Sequence, residues 1–452
     1  MTVAAEQARQ AARTPDAPAL VSGNRRWTAG ELAADVRSAT AQLGGLPVGP
    51  VAILLAEPAE QLIWALAADA AGAIAAVLDT RWPVPHRDAA LALVGAAAIV
   101  RTHDHEAVVR RVAACPPHDH GGRGWIAFTS GSSGVPGVVL RRPTSWSDSY
   151  AAFTRLTDIA PGDRVLVPGP LSSSLCAYAA LHAVAEGAAV VLLPRWDPGR
   201  FPAVDVAHLV PAMLADLIGA PAAVPPRVVV SAGATLEPGL ELRARQRWPD
   251  LRIVEYYGST EQSFVTARVG GDAATVGAPF PGVELQIRSD NGRPLPPGTP
   301  GVIWTRSPYA GERELGAREP AGRVGGWLSV GDRGVLDAAG ILTLLGRERI
   351  VTGGATVEPA VVETVLRELA GVRDAVVVGL PHERLGEVVA AAMDCEPGLR
   401  LGTAREHART RLSAAQRPRH WYAAVLPRTA NGKPARAEVT AAVRAGLLRR
   451  LS

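Results

Sequence analysis

Short aliphatic and β-branched runs alternate, over the first 260 residues or so, with stretches whose apolar positions follow a helical period. Six runs predict buried strands, at 51–56, 73–79, 164–169, 188–194, 227–233 and 251–258. Helices are predicted between them, among others at 59–71, 175–186 and 238–247. Strands that alternate with helices in this way form βαβ units and largely parallel sheets. The pattern therefore predicts an α/β fold.

The pattern changes after about Val276. Turn-rich strands from there to Gly346 predict a small strand-rich subdomain. Beyond Gly346 the order is a helix at 360–370, strands at 373–379 and 387–394, a helix at 402–414 and a strand at 421–426. This order predicts a compact α+β unit of about 100 residues, within the usual size of a domain. The predicted boundaries are 1–346 for a large N-terminal domain and 351–452 for a small C-terminal domain, joined by residues 347–350.

Composition narrows the class of protein. The chain has 452 residues, of which 48% are apolar and 20% charged, so it can bury more than one core and is not a disordered chain. The net charge is 47 − 43 = +4 with scattered basic residues, which predicts no nucleic-acid partner. Three distant cysteines, Cys115, Cys176 and Cys395, indicate neither a disulfide framework nor a cysteine zinc site. With no targeting segment and no apolar run of membrane-spanning length, we predict a soluble cytoplasmic protein with no integral membrane association.

Lysine is almost absent from the chain. Lys433 is the single lysine, so 47 − 1 = 46 of the basic residues are arginines. A single lysine among so many arginines suggests a position where the planar guanidinium group of arginine cannot replace the compact ammonium group of lysine. The alternative is a chance survivor on a solvated turn, and composition favours neither.

A loop rich in glycine and hydroxyl groups follows a short apolar run. Residues 126–137 read IAFTSGSSGVPG. Backbone N–H groups and four hydroxyls can surround a polyphosphate, although no Gly-Lys-Ser/Thr follows as in a Walker A loop. Taken alone, a Gly/Ser linker explains the segment at least as well.

Three further segments carry groups with useful chemistry. Residues 255–261, EYYGSTE, combine aromatic rings that can cover a purine with a carboxylate, Glu261, that can hold Mg²⁺. The alternative is a strand-end turn with a helix N-cap at Ser259 or Thr260. In 331–334, GDRG, a carboxylate can take both hydroxyls of a ribose, or simply occupy a β-turn. Residues 346–354 predict a hinge or a linker.

Together and in this order, these segments resemble the motifs of the adenylate-forming superfamily, which includes acyl-CoA and aryl-CoA synthetases, peptide-synthetase adenylation domains and luciferase-type enzymes. The resemblance covers nearly the whole chain, beginning at 26–32, RWTAGEL, which is similar to the family's opening helix signature. Residues 126–137 resemble its phosphate loop, 256–261 its adenine and Mg²⁺ motif, 331–334 its ribose motif, 346–349 its interdomain hinge and 427–433 its catalytic-lysine loop.

The resemblance implies roles for individual residues. The candidate catalytic residues are Lys433, Glu261 and Thr260, and Glu261 is also the candidate metal ligand. The candidate nucleotide-binding residues are Thr129, Ser130, Gly131, Ser132, Ser133, Gly134, Gly233, Ala234, Tyr256, Tyr257, Gly258, Ser259, Asp332 and Arg347. By the same resemblance, the hydroxyls of the loop at 129–133 hold the β and γ phosphates, Tyr257 covers the adenine, and Asp332 with Arg347 holds the ribose.

The resemblance also implies a two-step reaction of an AMP-forming acid–thiol ligase. A carboxylate attacks the α-phosphorus of Mg·ATP, pyrophosphate leaves, and a thiol then captures the acyl adenylate. The first step gathers negative charge on phosphorus, so it needs fixed cations, such as the ammonium of Lys433, more than an acid–base pair. The mobile C-terminal domain then turns about residue 349, withdraws Lys433 and presents residues 353–354 to the thiol.

The chain departs from the family's motifs at three positions. Gly137 stands where the phosphate loop usually carries a lysine, Arg349 where the hinge usually carries Asp or sometimes Lys, and Val330 where a threonine precedes the ribose Gly-Asp. The metal, ribose and lysine positions are kept, so we predict an active enzyme. A degenerate protein that binds ATP or the adenylate without turnover is the alternative.

The segment that resembles the acid-binding motif is 171–174, LSSS. Relatives that activate α-amino acids place an Asp there, and its absence predicts a plain carboxylic acid as the small-molecule substrate. The other predicted pocket walls suit an aryl or medium acyl group: Ala177, Tyr178, Pro211, Gly233, Ala234 and Tyr256. The predicted cofactors are ATP and Mg²⁺, with CoA as the thiol and an acyl-carrier protein as the alternative acceptor.

A different class of hypothesis rests on two copies of His-Asp-His, at 103–105 and 118–120, with Cys115 between them. These side chains are of the kind that holds a metal in a regulatory module. A polar connection to the Gly/Ser loop is favoured, because no helix or strand is predicted to fix their geometry.

Overall fold

The computed structural model describes residues 2–45, 49–103, 106–112, 124–129, 137–221, 224–236, 238–289, 291–315, 322–346, 350–357, 359–427, 434 and 436–451, with backbone alone at 129, 313–315, 346, 360 and 436–437. The chain divides into two compact units. The larger unit is built mainly from residues before Gly346, and the smaller unit mainly from Gly346–Ser452.

The helices before Gly346 are α1 (Val3–Arg13), α2 (Ala29–Gln42), α3 (Pro58–Ala70), α4 (Val84–Val94), α5 (Thr144–Ser147), α6 (Tyr150–Thr157), α7 (Ser174–Ala185), α8 (Pro211–Gly219) and α9 (Pro238–Arg247). The first strands are β1 (Pro18–Ser22), β2 (Arg25–Thr28), β3 (Pro50–Leu54), β4 (Ile74–Val77), β5 (Ala98–His103), β6 (Glu106–Arg111), β7 (Gly124–Thr129), β8 (Gly137–Arg141), β9 (Arg164–Val167), β10 (Ala189–Leu192), β11 (Val206–Leu209), β12 (Val228–Ser231) and β13 (Arg252–Ser259). They are followed by β14 (Ser263–Val269), β15 (Ala278–Pro279), β16 (Glu284–Arg288), β17 (Gly301–Arg306), β18 (Arg313–Leu315), β19 (Arg323–Val324), β20 (Trp327–Leu328), β21 (Arg333–Leu336) and β22 (Leu342–Gly346).

A nine-stranded sheet has the order β15-β14-β13-β12-β11-β9-β10-β1-β2. The six strands from β13 to β1 run parallel, and antiparallel strands close both edges. The central strands are buried on both faces, which is why they read as continuous aliphatic runs in the sequence. The carboxyl ends of β11, β12 and β13 therefore lie side by side, at the kind of sheet edge where α/β proteins bind ligands.

Two further sheets complete the larger unit. One has the order β18-β8-β7-β4-β3-β5-β6, and the other β19-β20-β17-β21-β22 with β16 paired to β17. Strands β7 and β8 form a hairpin in which Thr129 pairs with Gly137. This hairpin carries the two ends of the predicted phosphate loop.

The opening helix signature has a local physical basis. The hydroxyl of Thr28 accepts a hydrogen bond from the backbone N–H of Glu31 at 3.2 Å, and the Glu31 carboxylate accepts one from the N–H of Thr28 at 2.9 Å. This capping box satisfies two otherwise unpaired donors and starts α2 at Ala29.

The smaller unit contains α10 (Pro359–Arg367), α11 (Leu401–Arg411), α12 (Arg436–Arg444), β23 (Ile350–Thr352), β24 (Ala355–Val357), β25 (Val372–His382), β26 (Gly386–Cys395), β27 (His420–Ala423) and β28 (Arg449–Arg450). Its sheet has the order β24-β23-β26-β27-β28, with β25 paired to β26 along ten residue pairs. Helices cover the sheet through an apolar core that includes Val362, Ala404 and Trp421.

The predicted α/β class is confirmed, and the six predicted strands correspond to β3, β4, β9, β10, β12 and β13. The sequence pattern did not predict β11, because a four-residue strand that contains His208 has too few aliphatic residues to stand out. In the described part of the chain, no helix combines the length and the apolar character needed to cross a bilayer.

Candidate active site

Several predicted site residues lie outside the described residues. They are Ser130, Gly131, Ser132, Ser133 and Gly134 of the phosphate loop, Arg347 and Arg349 of the hinge, and Lys433. Thr129 ends β7, where its backbone alone is described. Their roles stay predictions.

The His-Asp-His hypothesis also falls largely outside the described residues. His103 ends β5, whereas Asp104, His105, Cys115 and 118–120 are not described. Within the described ranges, no group of three or more His, Cys, Asp and Glu side chains is placed to hold a metal ion.

The segment 256–261 forms the end of β13 and the turn into β14. Ser259 pairs with Ser263, and Gly258 pairs with Phe264 after a register shift. A Cβ at Gly258 would lie 1.7 Å from the carbonyl oxygen of Ser263, so only glycine permits this close approach. Of the alternative interpretation, the strand-end turn is present, but the helix N-cap at Ser259 or Thr260 is wrong because the chain returns directly as a strand.

Tyr256 and Tyr257 are neighbours on β13 and face opposite sides, as successive strand residues do. Tyr256 packs against the large core that contains Phe153 and Phe264. Tyr257 packs against a separate apolar cluster that includes Val265 and Ile303.

On the face of β13 that carries Tyr257, two predicted nucleotide-binding residues are in contact. The phenol of Tyr257 donates a hydrogen bond to the carboxylate of Asp332. Asp332 is buried and follows Gly331, whose φ of +80° favours glycine. Ile303 donates its backbone N–H to the Asp332 carbonyl oxygen at 2.7 Å, which fixes this turn to β17. The predicted adenine and ribose residues thus form one polar unit.

Thr260 links this turn to the predicted acid-binding segment. The hydroxyl of Thr260 lies 3.0 Å from the hydroxyl of Ser174, in the first turn of α7. The backbone carbonyl of the same threonine accepts a hydrogen bond from the Arg141 guanidinium at 2.6 Å. The candidate metal motif and the 171–174 segment are therefore in contact.

Glu261 meets the requirements of a Mg²⁺ ligand. Its backbone carbonyl accepts a hydrogen bond from the N–H of Gly311 at 2.7 Å. No hydrogen bond to its carboxylate is found among the described residues, so its oxygens keep lone pairs for a cation. Mg²⁺ is usually held by one or two carboxylates together with substrate phosphates and waters, so a single carboxylate here fits the ion.

Gly233 and Ala234 follow β12 in a segment held by buried ion pairs. The Glu255 carboxylate accepts the backbone N–H of Leu236 at 2.9 Å and a hydrogen bond from Arg268 at 2.5 Å. Arg268 also reaches Glu241 at 2.7 Å. Burial raises the pKa of Glu255 despite these donors. The network fixes the segment directly beside Tyr256.

The side facing Tyr256 is aromatic. Ring centroids lie 5.8 Å apart for Tyr256 and Phe153, 4.8 Å for Tyr256 and Phe264, and 5.2 Å for Phe153 and Tyr178. Burial raises the pKa of Tyr256. The Tyr178 hydroxyl lies 2.9 Å from that of Ser149, which satisfies its hydrogen-bonding capacity inside the core. Of the predicted pocket walls, the structure therefore joins Tyr178 and Tyr256 in one aromatic cluster.

Two buried imidazoles belong to the same cluster. His208 on β11 stacks on Phe153 at 6.0 Å, and His182 on α7 meets the same ring edge-on at 5.1 Å. His208 Nε2 and His182 Nδ1 are buried without a hydrogen-bond partner in the described part of the chain. Burial lowers the pKa of each imidazole to about 3, so both are neutral at physiological pH.

Comparison with known proteins decides the family. The profile of the AMP-binding enzyme family matches residues 7–123 and 124–312, and that of the AMP-binding enzyme C-terminal domain matches 361–433. The chain belongs to the AMP-binding enzyme family. An uncharacterized acyl–CoA ligase, YhfT of Bacillus subtilis, is 30% identical over 86% of this chain and 87% of its own length.

Two other proteins are similar to this chain over almost their whole length. A feruloyl-CoA synthase of Amycolatopsis is 28% identical over 95% of this chain and 97% of its own. The solved structure of the amide bond synthetase McbA from Marinactinospora thermotolerans has a TM-score of 0.85 at 28% identity and covers 98% of this chain and 99% of its own.

Membership of the AMP-binding enzyme family confirms the adenylate-forming resemblance, the fold class and the predicted enzyme class of AMP-forming acid–thiol ligase. The predicted activity, activation of a carboxylic acid through an acyl adenylate followed by thioester formation, is confirmed with it. The roles of individual residues and the domain boundaries stay predictions.

Two residues of the site were not predicted from the sequence. Arg141 ends an apolar strand, GVVLR, and its guanidinium is buried behind Thr260. Burial lowers its pKa to about 9, which the negative charge of Glu261 opposes. His208 is likewise a polar residue within an apolar strand. Each strand carries a single polar residue within an aliphatic run, and this was the feature of the sequence that could have pointed to Arg141 and His208.

Proposed function

We propose that this AMP-binding enzyme activates a ring-containing carboxylic acid with Mg·ATP and transfers the acyl group to CoA. The observation that carries the proposal is the arrangement of β13. Tyr257 on one face bonds the candidate ribose carboxylate of Asp332, and Tyr256 on the other face borders an aromatic cluster. One strand thus presents a nucleotide side and an acid side next to each other.

On the nucleotide side, Asp332 accepts the ribose hydroxyls while the Tyr257 phenol holds its carboxylate in place. Tyr257 covers the adenine face, and the turn that contains Gly258 and Ser259 borders the nucleotide. Mg²⁺, when bound, neutralises charge on the phosphates and polarises them. Glu261 holds the ion, and the hydroxyl of Thr260 contacts the phosphates beside it.

Lys433 supplies the cation of the first step, between the acid's carboxylate and an α-phosphate oxygen. The residues of the phosphate loop at 129–134 surround the β and γ phosphates, and Arg347 joins Asp332 at the ribose. A large domain at 1–346 and a small domain at 351–452 then rotate about 347–350, so that the thiol replaces Lys433 at the acyl adenylate. ATP and CoA point to the cytoplasm as the place of action.

On the acid side, aromatic packing favours a flat ring over a long alkyl chain. Phe153, Tyr178 and Phe264 fill the space behind Tyr256 with ring contacts of 4.8 to 5.8 Å. An aromatic acid can stack against the partly exposed ring of Tyr256, which these buried rings support, whereas a long chain would have to displace them. The similarity to a feruloyl-CoA synthase, whose acyl group is aromatic, supports this choice.

CoA is the proposed acceptor because relatives over most of the chain are CoA ligases. An amine is a second candidate acceptor, favoured by the similarity to an amide bond synthetase. The carrier-protein alternative draws no support from these relatives.

The test is pyrophosphate release from Mg·ATP with aryl, fatty and amino acids, in wild type and in Lys433→Ala and Lys433→Arg. We expect release with aryl acids, and a loss of at least about 100-fold in Lys433→Ala because the developing charge loses its fixed cation. Lys433→Arg is the matched control for charge, and we expect it to recover little. ATP binding without release in wild type would instead support the degenerate alternative.

A further inference from the structure

Arg141 is a buried cation that joins three separate segments of the larger unit. Its side chain is 1% exposed at the end of β8. It donates hydrogen bonds to the carbonyl oxygen of Thr260, the hydroxyl of Ser263 and the carbonyl oxygen of Tyr309. These partners are distant in sequence, since Thr260 lies 119 residues further along the chain.

All three acceptors are neutral oxygens. Among the described side chains, no carboxylate lies within ion-pair distance of this guanidinium. Its Nε is buried without a partner in the same set of residues. Removing a charge from water is costly unless it is paired, so a hydrophobic side chain would be the stable choice if packing were the only requirement. The cation therefore serves a purpose other than packing.

The hydroxyl of Ser263 is held from two directions. Besides the Arg141 bond, it accepts a hydrogen bond from Trp146 Nε1 at 3.2 Å, and the Arg141 guanidinium lies 5.0 Å from the Trp146 ring centroid. Ser263 has a φ of +61°, a left-handed conformation that is uncommon for a residue with a side chain. The two donors thus stabilise an unfavourable backbone conformation two residues after Glu261.

A third segment packs against the same turn. Gly311 donates its N–H to the Glu261 carbonyl oxygen at 2.7 Å, and Glu312 donates to the Leu140 carbonyl oxygen at 2.8 Å. A Cβ at Gly311 would lie 2.4 Å from Val139 and 3.3 Å from the Glu261 carbonyl oxygen. The backbone carbonyl oxygens of Thr260 and Glu261 are therefore both held by hydrogen bonds, and a side chain at position 311 would not fit against this turn.

We propose that Arg141 is a positioning residue that fixes the Thr260–Ser263 turn, so that the Thr260 hydroxyl and the Glu261 carboxylate meet the phosphates and Mg²⁺ of the bound nucleotide. This inference rests on the proposed function. Arg141 itself touches neither substrate nor metal. It acts through the turn, in the way that outer residues orient the ligands of a metal site.

The test compares Arg141→Met and Arg141→Lys with Arg142→Met, an exposed neighbour on the same segment. Pyrophosphate release is measured against Mg²⁺ concentration, and calorimetric titration gives the Mg·ATP affinity without turnover. We expect Arg141→Met to raise the Mg²⁺ requirement and weaken Mg·ATP binding about 10-fold or more, with the KM for the acid within about twofold. Arg141→Lys recovers part of the loss, and Arg142→Met matches wild type.

A folded Arg141→Met variant with an unchanged Mg²⁺ requirement overturns the proposal, and so does an equal rise in the KM for the acid. If the Arg141 variants do not fold, Ser263→Ala decides, because it removes only one of the three acceptors. We expect it to shift the Mg²⁺ requirement by about threefold, and no shift contradicts the proposal. Wild type that binds Mg·ATP but activates no acid would refute the proposed function alone.

Discussion

The two faces of β13 are built in different ways. On the nucleotide side, Tyr257 and Thr260 are held by directional hydrogen bonds to Asp332, Ser174 and Arg141. On the acid side, Tyr256 is held by ring packing, with contacts of 4.8 and 5.8 Å to Phe264 and Phe153. Hydrogen bonds depend steeply on direction, whereas ring packing depends mainly on volume and shape.

If the two faces bind the nucleotide and the acid as proposed, one scaffold serves a constant and a variable substrate. Every member of an ATP-dependent family binds the same nucleotide, so fixed donors and acceptors suit that side. The acid differs between members. Substitutions among the packed rings can change the volume of the acid site without disturbing the hydrogen-bonded turn at Thr260–Ser263. The two sides should therefore respond independently to substitution.

The largest expected effect on the nucleotide side follows from Asp332→Ala. Loss of the buried carboxylate removes the proposed acceptor for the ribose together with the hydrogen bond from the Tyr257 phenol. We expect the KM for ATP to rise about 10- to 100-fold with the KM for the acid within about twofold, measured by pyrophosphate release. Tyr257→Phe is the matched control, with a smaller change in the same constant. A parallel rise in both KM values would break the separation of the two sides.

A moderate effect is expected on the acid side from Tyr256→Ala. Removing the ring enlarges the space in front of Phe153, so longer acids should gain relative to aryl acids by about 10-fold in kcat/KM. The KM for ATP should stay within about twofold of wild type. If Tyr256→Ala changes the KM for ATP and leaves the selectivity between acids unaltered, the assignment of the Tyr256 face of β13 to the acid is wrong.

A separate prediction concerns the pH dependence of the free energy of unfolding. His182 and His208 lie in the aromatic cluster with their pKa lowered by burial from 6.5 to about 3. Between these two pH values the unfolded chain therefore binds more protons than the folded chain. The contribution of the two imidazoles to the free energy of unfolding is complete above about pH 6.5 and is lost as the pH falls toward 3. Each imidazole contributes about 1.4 kcal/mol per pH unit in that range.

Urea unfolding between pH 7.5 and 5 checks this, with His208→Gln as the variant that removes one titrating group. We expect the variant to lose about half of the imidazole-derived dependence. Identical slopes in the two proteins would mean that His208 is not buried as a neutral group.

Much of this arrangement could be predicted from the sequence. The aliphatic run at 251–258 predicted β13, and the motif that follows it predicted Tyr257, Glu261 and, further along, Asp332. A local pattern suffices for the strand and the turn that follows it, whereas the roles of these three residues stay predictions. The start of α2 could also be predicted, since its capping box lies within four consecutive residues.

The supports of the site could not be predicted in the same way. Arg141 and Ser263 are 122 residues apart, and His208 meets Phe153 only because β11 pairs within the central sheet. Such contacts depend on strand order and on side-chain packing, which a single sequence does not state. A polar residue inside an aliphatic strand is the only local trace that they leave.

The most direct test of the central claim is to identify the products by mass spectrometry. Wild-type protein is incubated with ATP, Mg²⁺, CoA and a mixture of aryl and long-chain acids. We predict equal amounts of AMP and of an aryl thioester of CoA. Formation of ADP in place of AMP, or thioesters of the long-chain acids alone, would contradict the account.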